Sequence, residues 1–498
     1  MGKNTYSVLE LPLVTEKWQR DVLDTKLECV RKVYNRMMDV KLKKYREMTK
    51  TREWRELNGI IKEELQTANG SKKKSDRLKA AYERKNSILK ENGFSEFDFR
   101  KEALKCSKYY QKHISSTMAS CSIGEPMWRA FEKLLFGNGD MVHFKKQDGV
   151  YSIVSDNKSG IRLVKNNSGY DVVISNQMAK AKALKLQVKG PNTKYDKMML
   201  DAPIKMIRIV KRIEKGHRRF YCQLTVAREP YVKLDENGNL KHPMGSGTVG
   251  ICIWRNTLCA VGDDSVLEVN LIPDEAEYTS KREELSRKLE HLLRVNNPDN
   301  FNEDGTVKKG IVTENGKRIR LQWNESNHYK KVKNELKELY RVHGVKKSLL
   351  QNKVILELLS MGNQFYFLNT SFTTLKPKKN EDNPLEIVEY KKKKQRRKAI
   401  QEAAPSMFMT KLDNKLIARG LDIVWRIDIP EELYWYRHDT GVSDRDFFKN
   451  ATVSLYGTEI NQTMYRAFLM KNYNLETEKY ENNGWNKFLS LPEVEVTI

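Results

Sequence analysis

The spacing of apolar residues changes several times along the chain, and each change predicts a different kind of structure. Residues 5–14 alternate as in one short strand. From Thr15, a possible helix cap, apolar residues recur at helical spacing, and charge-rich helical sequence continues to about residue 121. The first of these recurring residues are Leu23, Leu27, Val30, Tyr34, Met37 and Met38.

From about residue 140 the pattern becomes one of strands separated by turns. The runs MVHFKK, YSIVSD, IRLVKN and YDVVIS alternate, with DG, SG and NNSG between them. Residues 206–230 predict a long hairpin whose turn is EKGH. A lone strand, a helical block and then many strands together predict a β-barrel with helices inserted after its first strand.

The third part of the chain begins near Gly245 and mixes both patterns. VGICIW, TLCAVG and SVLEVNLI predict a meander, and residues 364–368 and 422–428 predict two further strands. Helices are predicted at 278–296, at about 328–360, around Met407, Phe408 and Leu412, and from about 461. Three hairpin strands followed by helix, strand, helix, strand and helix is the element order of an RNase H-like domain with inserted helices.

Composition narrows the class of partner. The 498 residues are too many for one ordinary domain, and a hydrophobic fraction of 39% is enough for real cores. Lys and Arg number 91 against 65 Asp and Glu, a net charge of +26 that favours a polyanion, above all nucleic acid. No apolar run approaches a membrane span. The six cysteines form no C-x-x-C pair, so we expect neither a zinc ribbon nor a disulfide framework. We therefore expect the protein to be located in the reducing cytosol.

The predicted RNase H-like domain raises the question of a metal site. Nucleases on that fold use two divalent metals held by carboxylates of the first strand, the strand after the inserted helix and the closing helix. The residues at those three positions here are Cys252, Leu368 and Thr463. Leu has no ligand atom, a neutral Thr hydroxyl is a poor substitute for a carboxylate, and a Cys thiolate is a soft ligand unsuited to magnesium.

Three segments resemble TnpB, the transposon-encoded RNA-guided nucleases related to type V CRISPR effectors, in particular a subgroup without a zinc ribbon. VGICIW is similar to the family's VGIDIG, with Cys252 at the Asp. QFYFLNTSFTTL is similar to EFYVETMNFKAL, with Leu368 at the Glu. INQTMYRAFL is similar to VQRDLYSAFL, with Thr463 at the Asp. The resemblance runs from about residue 240 to 475 and extends more loosely upstream.

The resemblance implies an α+β, multidomain fold. Residues 1–14 and 122–243 would form a split wedge (OB-like) β-barrel, and 15–121 an inserted helical recognition lobe. Residues 244–498 would form an RNase H-like (RuvC) α/β domain, catalytically inactive and without a zinc ribbon. Because all three metal-ligand positions have changed together, the chain resembles the nuclease-dead TnpB-like repressors (TldR).

The function implied is RNA-guided DNA binding without cleavage. A transposon-end-derived guide RNA would pair with double-stranded target DNA beside a short adjacent motif, form an R-loop and repress transcription. We expect no cofactor beyond the guide RNA, no catalytic Mg²⁺, no membrane partner, a monomer in the ribonucleoprotein, and a location on the bacterial nucleoid in the cytoplasm.

Candidate nucleic-acid contacts are suggested by charge and by the resemblance. The candidates are His143, Phe144, Lys145 and Lys146 near the adjacent motif; Lys211, Arg212, His217, Arg218 and Arg219 on the long hairpin; and the basic run Lys391, Lys392, Lys393, Lys394, Arg396, Arg397 and Lys398. The basic run could equally be a solvated loop. Tyr109, Tyr110 and Trp128 could stack on bases, although aromatic residues at helical spacing more often belong to a core.

Two alternatives stay open. The chain could be an active nuclease that uses displaced carboxylates, of which Asp263 and Asp264 are the obvious ones. If the turn at 255–256 pairs Cys252 with Cys259, Asp263 lies about 13 Å away along the strand, too far to substitute. Asn369 carries no charge, and Glu459 precedes the closing helix by a turn. The other alternative is an RNA-binding protein that never engages duplex DNA.

Overall fold

The structure is a computed structural model of the chain. It describes residues 6–67, 75–136, 139, 141–176, 183–228, 232–308, 310–312, 318–319, 321–369, 397–429, 433, 435–448, 450–481, 484–494 and 496. Within these residues no helix is long and apolar enough to cross a membrane. The fold is mixed α+β, and the chain divides into two compact units, Met1–Glu229 and Pro230–Ile498.

The first unit combines helices with one sheet. Its described helices are α1 (Lys17–Thr49), α2 (Arg52–Thr67), α3 (Asp76–Glu91), α4 (Glu96–Ser107), α5 (Ser116–Ala119), α6 (Glu125–Leu135) and α7 (Lys194–Leu200). Its strands are β1 (Ser7–Val14), β2 (Ser152–Asp156), β3 (Ile161–Asn166), β4 (Gly169–Ile174), β5 (Leu184–Val188), β6 (Ile204–Glu214) and β7 (His217–Val226). The strand predicted over residues 5–14 is confirmed as β1, and the long hairpin predicted over residues 206–230 is confirmed as β6 and β7.

The seven strands form one curled sheet in the order β2-β6-β7-β1-β5-β4-β3. Strand β1 joins its two halves, because residues 7–12 pair with β7 and residues 13–14 pair with β5. Strands β2 and β3 lie at opposite edges, yet only residues 157–160 connect them. Six strand spacings in a flat sheet would measure about 29 Å, whereas this connection reaches about 17 Å at most. The sheet therefore curls until its edges approach each other.

Helix α1 contributes one buried face to the apolar core of the first unit. The apolar residues predicted at helical spacing from Leu23 to Met38 are all buried in it. The helix is capped by Glu16 rather than by the predicted Thr15. The Glu16 backbone N–H donates to Oε1 of Gln19 at 2.8 Å and so closes a capping box.

Two local predictions for the first unit are wrong, and two of its elements were not predicted. MVHFKK is not a strand, because residues 141–146 form no backbone ladder. The helical sequence ends at Leu135 rather than near residue 121, since one π-helical turn over 120–124 joins α5 to α6. Strand β5 and helix α7 were not predicted at all. Leu184, Leu186 and Val188 alternate with polar residues, which is the pattern of a half-buried strand, so β5 could have been predicted from the sequence.

The second unit contains a five-stranded sheet with helices against it. Its main strands are β8 (Thr248–Trp254), β9 (Thr257–Val261), β10 (Val266–Asn270), β13 (Gln364–Leu368) and β14 (Trp425–Ile427). Short hairpins are formed by β11 (Ile311–Val312) with β12 (Arg318–Ile319), β15 (Thr452–Leu455) with β16 (Thr458–Asn461), and β17 (Tyr473–Asn474) with β18 (Lys479–Tyr480). Its described helices are α8 (Glu275–Asn296), α9 (Asn327–Met361), α10 (Pro405–Ile417), α11 (Gln462–Lys471) and α12 (Trp485–Leu489).

The five-stranded sheet has the order β10-β9-β8-β13-β14. Strands β8, β9 and β10 are antiparallel neighbours, as the predicted meander requires. Strand β13 runs parallel to β8, and β14 runs parallel to β13. The strands and helices predicted for this unit are present in the predicted order, whereas the hairpins β11–β12 and β15–β16 and the elements after α11 were not predicted.

Strand β8 lies between two apolar cores. Val249, Ile251 and Ile253 pack into one core with residues of α9 and α10. Cys252 points to the opposite face and packs into a second core with residues of α11. A nearly continuous apolar run is typical of a strand covered on both faces. Strand β8 therefore fixes the distance between the helices on either side of the sheet.

Gly250→Ala is expected to destabilise the second unit. A Cβ at Gly250 would overlap the backbone carbonyl of Ala467 and the backbone of Lys471, which are fixed groups of α11. Overpacking of this kind costs about 1–3 kcal/mol. Urea unfolding followed by circular dichroism measures the loss of unfolding free energy.

The matched control is Gly344→Ala in α9. No heavy atom lies within 4 Å of the position that its Cβ would take. Alanine at this helical position should raise the unfolding free energy by about 0.5–1 kcal/mol. Equal unfolding free energies for the two variants would contradict the close approach of β8 to α11.

Candidate functional site

The structure brings the helix that carries Thr463 onto the face of the sheet that carries Cys252 and Leu368. Phe367 pairs with Ile251 in parallel register, so the next residues along each strand, Leu368 and Cys252, are neighbours on adjacent strands. Thr463 lies in the first turn of α11, which packs against β8, β9 and β13. Cys252 and Leu368 share one apolar cluster with residues of α11.

None of these three side chains carries a charge that could hold a divalent metal. Cys252 is 1% exposed, and burial raises the pKa of its thiol to about 11, so it is a neutral thiol near pH 7. Leu368 is 3% exposed and has no ligand atom. Thr463 is buried, and its backbone N–H donates to Oδ1 of Asn461 at 2.8 Å. Two divalent ions that require carboxylate oxygens do not fit this donor set.

The acids considered from the sequence do not gather around Cys252. Cys252 does pair with Cys259, as the turn at 255–256 predicted. Asp263 lies past the end of β9 and forms an ion pair with Lys471 at 2.9 Å, while Asp264 lies 3.3 Å from the ammonium of Lys487. Glu459 lies in β16, opposite Ser454, with an exposed side chain. Within the described residues, no group of three or more His, Cys, Asp or Glu side chains is arranged to hold a metal ion.

Asp428 is an acid near this site that sequence reasoning missed. It comes directly after β14 and accepts a hydrogen bond from Nδ2 of Asn369 at 2.7 Å. Asn369 in turn comes directly after Leu368, so the pair lies at the carboxyl ends of two adjacent parallel strands. The signal in the sequence is an acid at the end of the last predicted strand, 422–428, a feature that many strands share.

Arg466 is a second residue that sequence reasoning missed. It lies one turn after Thr463 on α11 and is 5% exposed. Its guanidinium carbon lies 4.6 Å from the ring centroid of Phe448 and 5.3 Å from that of Trp435. The available signal was an arginine inside the otherwise apolar run MYRAFL.

In the first unit, the predicted contact segment 143–146 is exposed and held to α1 by its backbone. The N–H of Lys145 donates to Oδ1 of Asn35 at 2.8 Å, and its carbonyl accepts from Nδ2 of Asn35 at 2.9 Å. All four side chains are exposed, and the ammonium of Lys145 lies 5.3 Å from the ring centroid of Tyr34. The segment presents two lysines, a histidine and a half-exposed Phe144 to solvent.

Three predicted contacts on the hairpin already bind acidic side chains. Lys211 lies 2.7 Å from Asp24, and Arg218 binds the same aspartate. Arg212 forms a two-bond pair with Glu10 at 2.7 and 2.6 Å. These pairs hold the hairpin to α1 and β1, an arrangement that favours a structural role for the three cations.

Of the other predicted nucleic-acid contacts, four are exposed and the rest lie outside the described residues. His217 and Arg219 on the hairpin are exposed, and Arg219 pairs across the strands with Arg212. Arg397 and Lys398 are exposed at the start of a helical stretch over 397–403. The other predicted contacts of the basic run, Lys391, Lys392, Lys393, Lys394 and Arg396, lie outside the described residues.

The three aromatic residues considered from the sequence fall into two groups. Tyr110 and Trp128 pack partly buried against the core, and Trp128 meets Phe99 edge to face at 5.5 Å between centroids. Tyr109 is 80% exposed, with the guanidinium of Arg36 5.3 Å above its ring. An exposed ring held by a cation can stack on a base, so Tyr109 is the one of the three that fits this role.

Comparison with known proteins gives limited similarity. No protein-family model matches the chain, and no curated protein matches it significantly. A cryo-electron-microscopy structure of the Cas12f1–sgRNA–target DNA complex is similar with a TM-score of 0.41 and 11% identity, covering 94% of this chain and 99% of that one. A CRISPR–Cas12f ternary complex has a TM-score of 0.23, with the same identity and coverage. Neither TM-score is high enough to establish a shared fold, so function has to be inferred from the residues of this chain.

A nucleic-acid interface at 143–146 would have a measurable salt signature. Affinity for nucleic acid falls as salt rises, because each lysine that meets a phosphate releases condensed counterions. We expect a double variant, Lys145→Gln and Lys146→Gln, to make the plot of log affinity against log salt less steep by about 1–2. Fluorescence anisotropy with labelled RNA and duplex DNA at several salt concentrations measures the slope.

The matched control for this pair is Lys211→Gln. It removes one positive charge from the same unit, but this charge is already bound to Asp24. The slope should therefore stay unchanged, while the unfolding free energy decreases. A decrease in slope from Lys211→Gln as large as that from the lysine pair would contradict the assignment.

Proposed function

We propose that the chain is an RNA-guided DNA-binding protein that holds its target without cutting it and represses transcription. The observation that carries the proposal is the placement of Cys252, Leu368 and Thr463. Cys252 and Leu368 are neighbours on β8 and β13, and Thr463 lies in the first turn of α11, which packs against both strands; this supports assigning the three residues to the metal-ligand positions of an RNase H-like nuclease. Each of the three carries a neutral side chain.

The charge of the chain supports a nucleic-acid partner. A net charge of +26 is suited to the phosphates of a guide RNA and a target duplex. In RNA-guided recognition the protein follows the shape and backbone of the heteroduplex, while base pairing reads the sequence. The exposed segment 143–146 and the exposed ring of Tyr109 are two described surfaces that could contact RNA or DNA. A protein that forms an R-loop and stays on it would block a polymerase.

A second candidate is a nuclease that uses displaced carboxylates. The observation in its favour is Asp428, which lies beside Asn369 at the carboxyl ends of β13 and β14. Against it, Asp428 is a single acid, and Asp263 and Asp264 are each ion-paired with a lysine. A third candidate, a protein that binds RNA alone, leaves the DNA-binding step to be tested.

The proposal predicts that purified protein carries a defined RNA and does not cut. We expect sequencing of the co-purified RNA to give one abundant species whose 3′ segment matches a genomic site. The reassembled ribonucleoprotein should protect that site and open it, as detected by permanganate reactivity of unpaired thymines. With Mg²⁺ present, the labelled target should stay intact.

Asp428→Asn is the matched control for the cleavage assay. Cleavage above background by the unaltered protein, abolished by this substitution, would overturn the proposal and support the second candidate. Guide-dependent RNA binding with no opening of the duplex would support the third candidate instead. Chromatin immunoprecipitation peaks beside one short common motif would exclude that third candidate.

A further inference from the structure

A cavity lies at the amino ends of β13 and β14, the two parallel strands at one side of the five-stranded sheet. Its volume is about 260 Å³, and Gln364 and Trp425, the first residues of the two strands, both line it. Leu368 ends β13 four residues further on, which is about 13 Å at 3.3 Å per residue. The cavity is therefore distinct from the changed metal-ligand positions.

Two aromatic residues contribute to the wall of this cavity. Tyr366 and Trp425 are paired residues of the parallel strands, so they lie on the same face of the sheet. Trp425 is 49% exposed, and Tyr366 is half-buried. Ile423 and Leu475 add exposed aliphatic surface to the same wall. A wall of aromatic and aliphatic groups is suited to a flat ring that stacks on it.

Asp422 supplies a charged group to the cavity. Its side chain is exposed, and within the described residues its carboxylate makes neither a hydrogen bond nor an ion pair. An ionised carboxylate only accepts hydrogen bonds, and it has two oxygens with which to do so. The pairing edge of guanine presents two adjacent N–H donors, whereas the other bases place an acceptor beside each donor. A carboxylate therefore accepts two hydrogen bonds from guanine and is repelled by a lone pair on each of the other bases.

We propose that this cavity binds one unpaired guanine base of a single-stranded nucleic acid, stacked on Tyr366 and Trp425 with its N–H edge toward Asp422. Aromatic side chains commonly hold the bases of single strands in this way. Pockets for drug-sized ligands measure about 300–1,000 Å³, so a cavity of about 260 Å³ has room for one base. The inference rests on the proposed function, which supplies a guide RNA and a displaced DNA strand.

Charge favours a nucleotide over a cationic partner. An aromatic wall with a carboxylate could also hold a cation such as arginine, but a net charge of +26 repels cations and attracts phosphates. Lys479 is exposed and makes no ion pair within the described residues. It lies opposite Asn474, which directly precedes Leu475 of the cavity wall. An ammonium is therefore available beside the cavity for a phosphate of the bound strand.

The test uses the full-length protein, freed of co-purified RNA, and labelled oligouridine strands that carry one central guanosine, inosine or adenosine. Fluorescence anisotropy measures the affinities. We expect the guanosine strand to bind about tenfold more tightly than the adenosine strand. Inosine should fall between them because it lacks the amino group. Oligothymidine DNA carrying the same three bases distinguishes the sources: a guanine preference in either series supports the inference, and the tighter series identifies the strand.

Variants separate the contributions of the cavity residues. Asp422→Asn should remove the preference for guanosine over adenosine, and Trp425→Ala should weaken binding of the guanosine strand about tenfold. Lys479→Gln should keep the preference and make the plot of log affinity against log salt less steep by about 1. Asp299→Asn is the matched control, because it removes an exposed carboxylate of the same unit that does not line the cavity. It should leave the preference unchanged.

Equal affinities for the guanosine and adenosine strands, or a preference that survives Asp422→Asn, would overturn the inference. Binding of N-acetylarginine amide that depends on Asp422, without any guanosine preference, would overturn it in favour of a cationic partner. If Trp425→Ala does not fold, as urea unfolding would show, Asp422→Asn still decides the outcome. Cutting of the target by the unaltered protein would overturn the proposed function whatever base the cavity prefers, so the two failures are distinguishable.

Discussion

The second unit depends on one strand that has no solvent face. Strand β8 lies in the middle of the five-stranded sheet, with α9 and α10 against one side and α11 against the other. Its small residue Gly250 lets the backbone of α11 approach closely. Side chains of β8 that face α11 therefore lie in an apolar interior, where a charged group is stable only if it is paired with an opposite charge or a metal.

Under the proposed function, this constraint accounts for the absence of a carboxylate at all three positions, Cys252, Leu368 and Thr463. A buried site with several carboxylates is stable only with cations in it, because unpaired carboxylates repel one another and lack water. In this protein Cys252 and Leu368 lie in an apolar cluster without buried carboxylates of their own, so this packing needs no bound ion. Under the proposed function, one carboxylate left at any of the three positions would be a buried charge without a metal to pair with, so loss at all three positions is the stable arrangement.

The first unit distributes its positive charge unequally. Lys211, Arg212 and Arg218 are neutralised by acids of β1 and α1, so they hold the hairpin in place. The segment 143–146 is fixed by its backbone to Asn35, which leaves its side chains in solvent. Net charge alone does not distinguish these two situations. The difference decides which cations a phosphate backbone could reach without first breaking an ion pair.

The sequence by itself determined the features that depend on local spacing. Strand β13 has the bounds that were predicted from the sequence, and Cys252, Leu368 and Thr463 were proposed as changed metal-ligand positions from short continuous motifs. Only the tertiary structure showed that MVHFKK is not a strand, that Lys211 binds Asp24, and that Asp428 and Arg466 belong near the site. The physical reason is that hydrophobic periodicity is a property of neighbouring residues, whereas ion pairing and burial depend on which distant elements pack together.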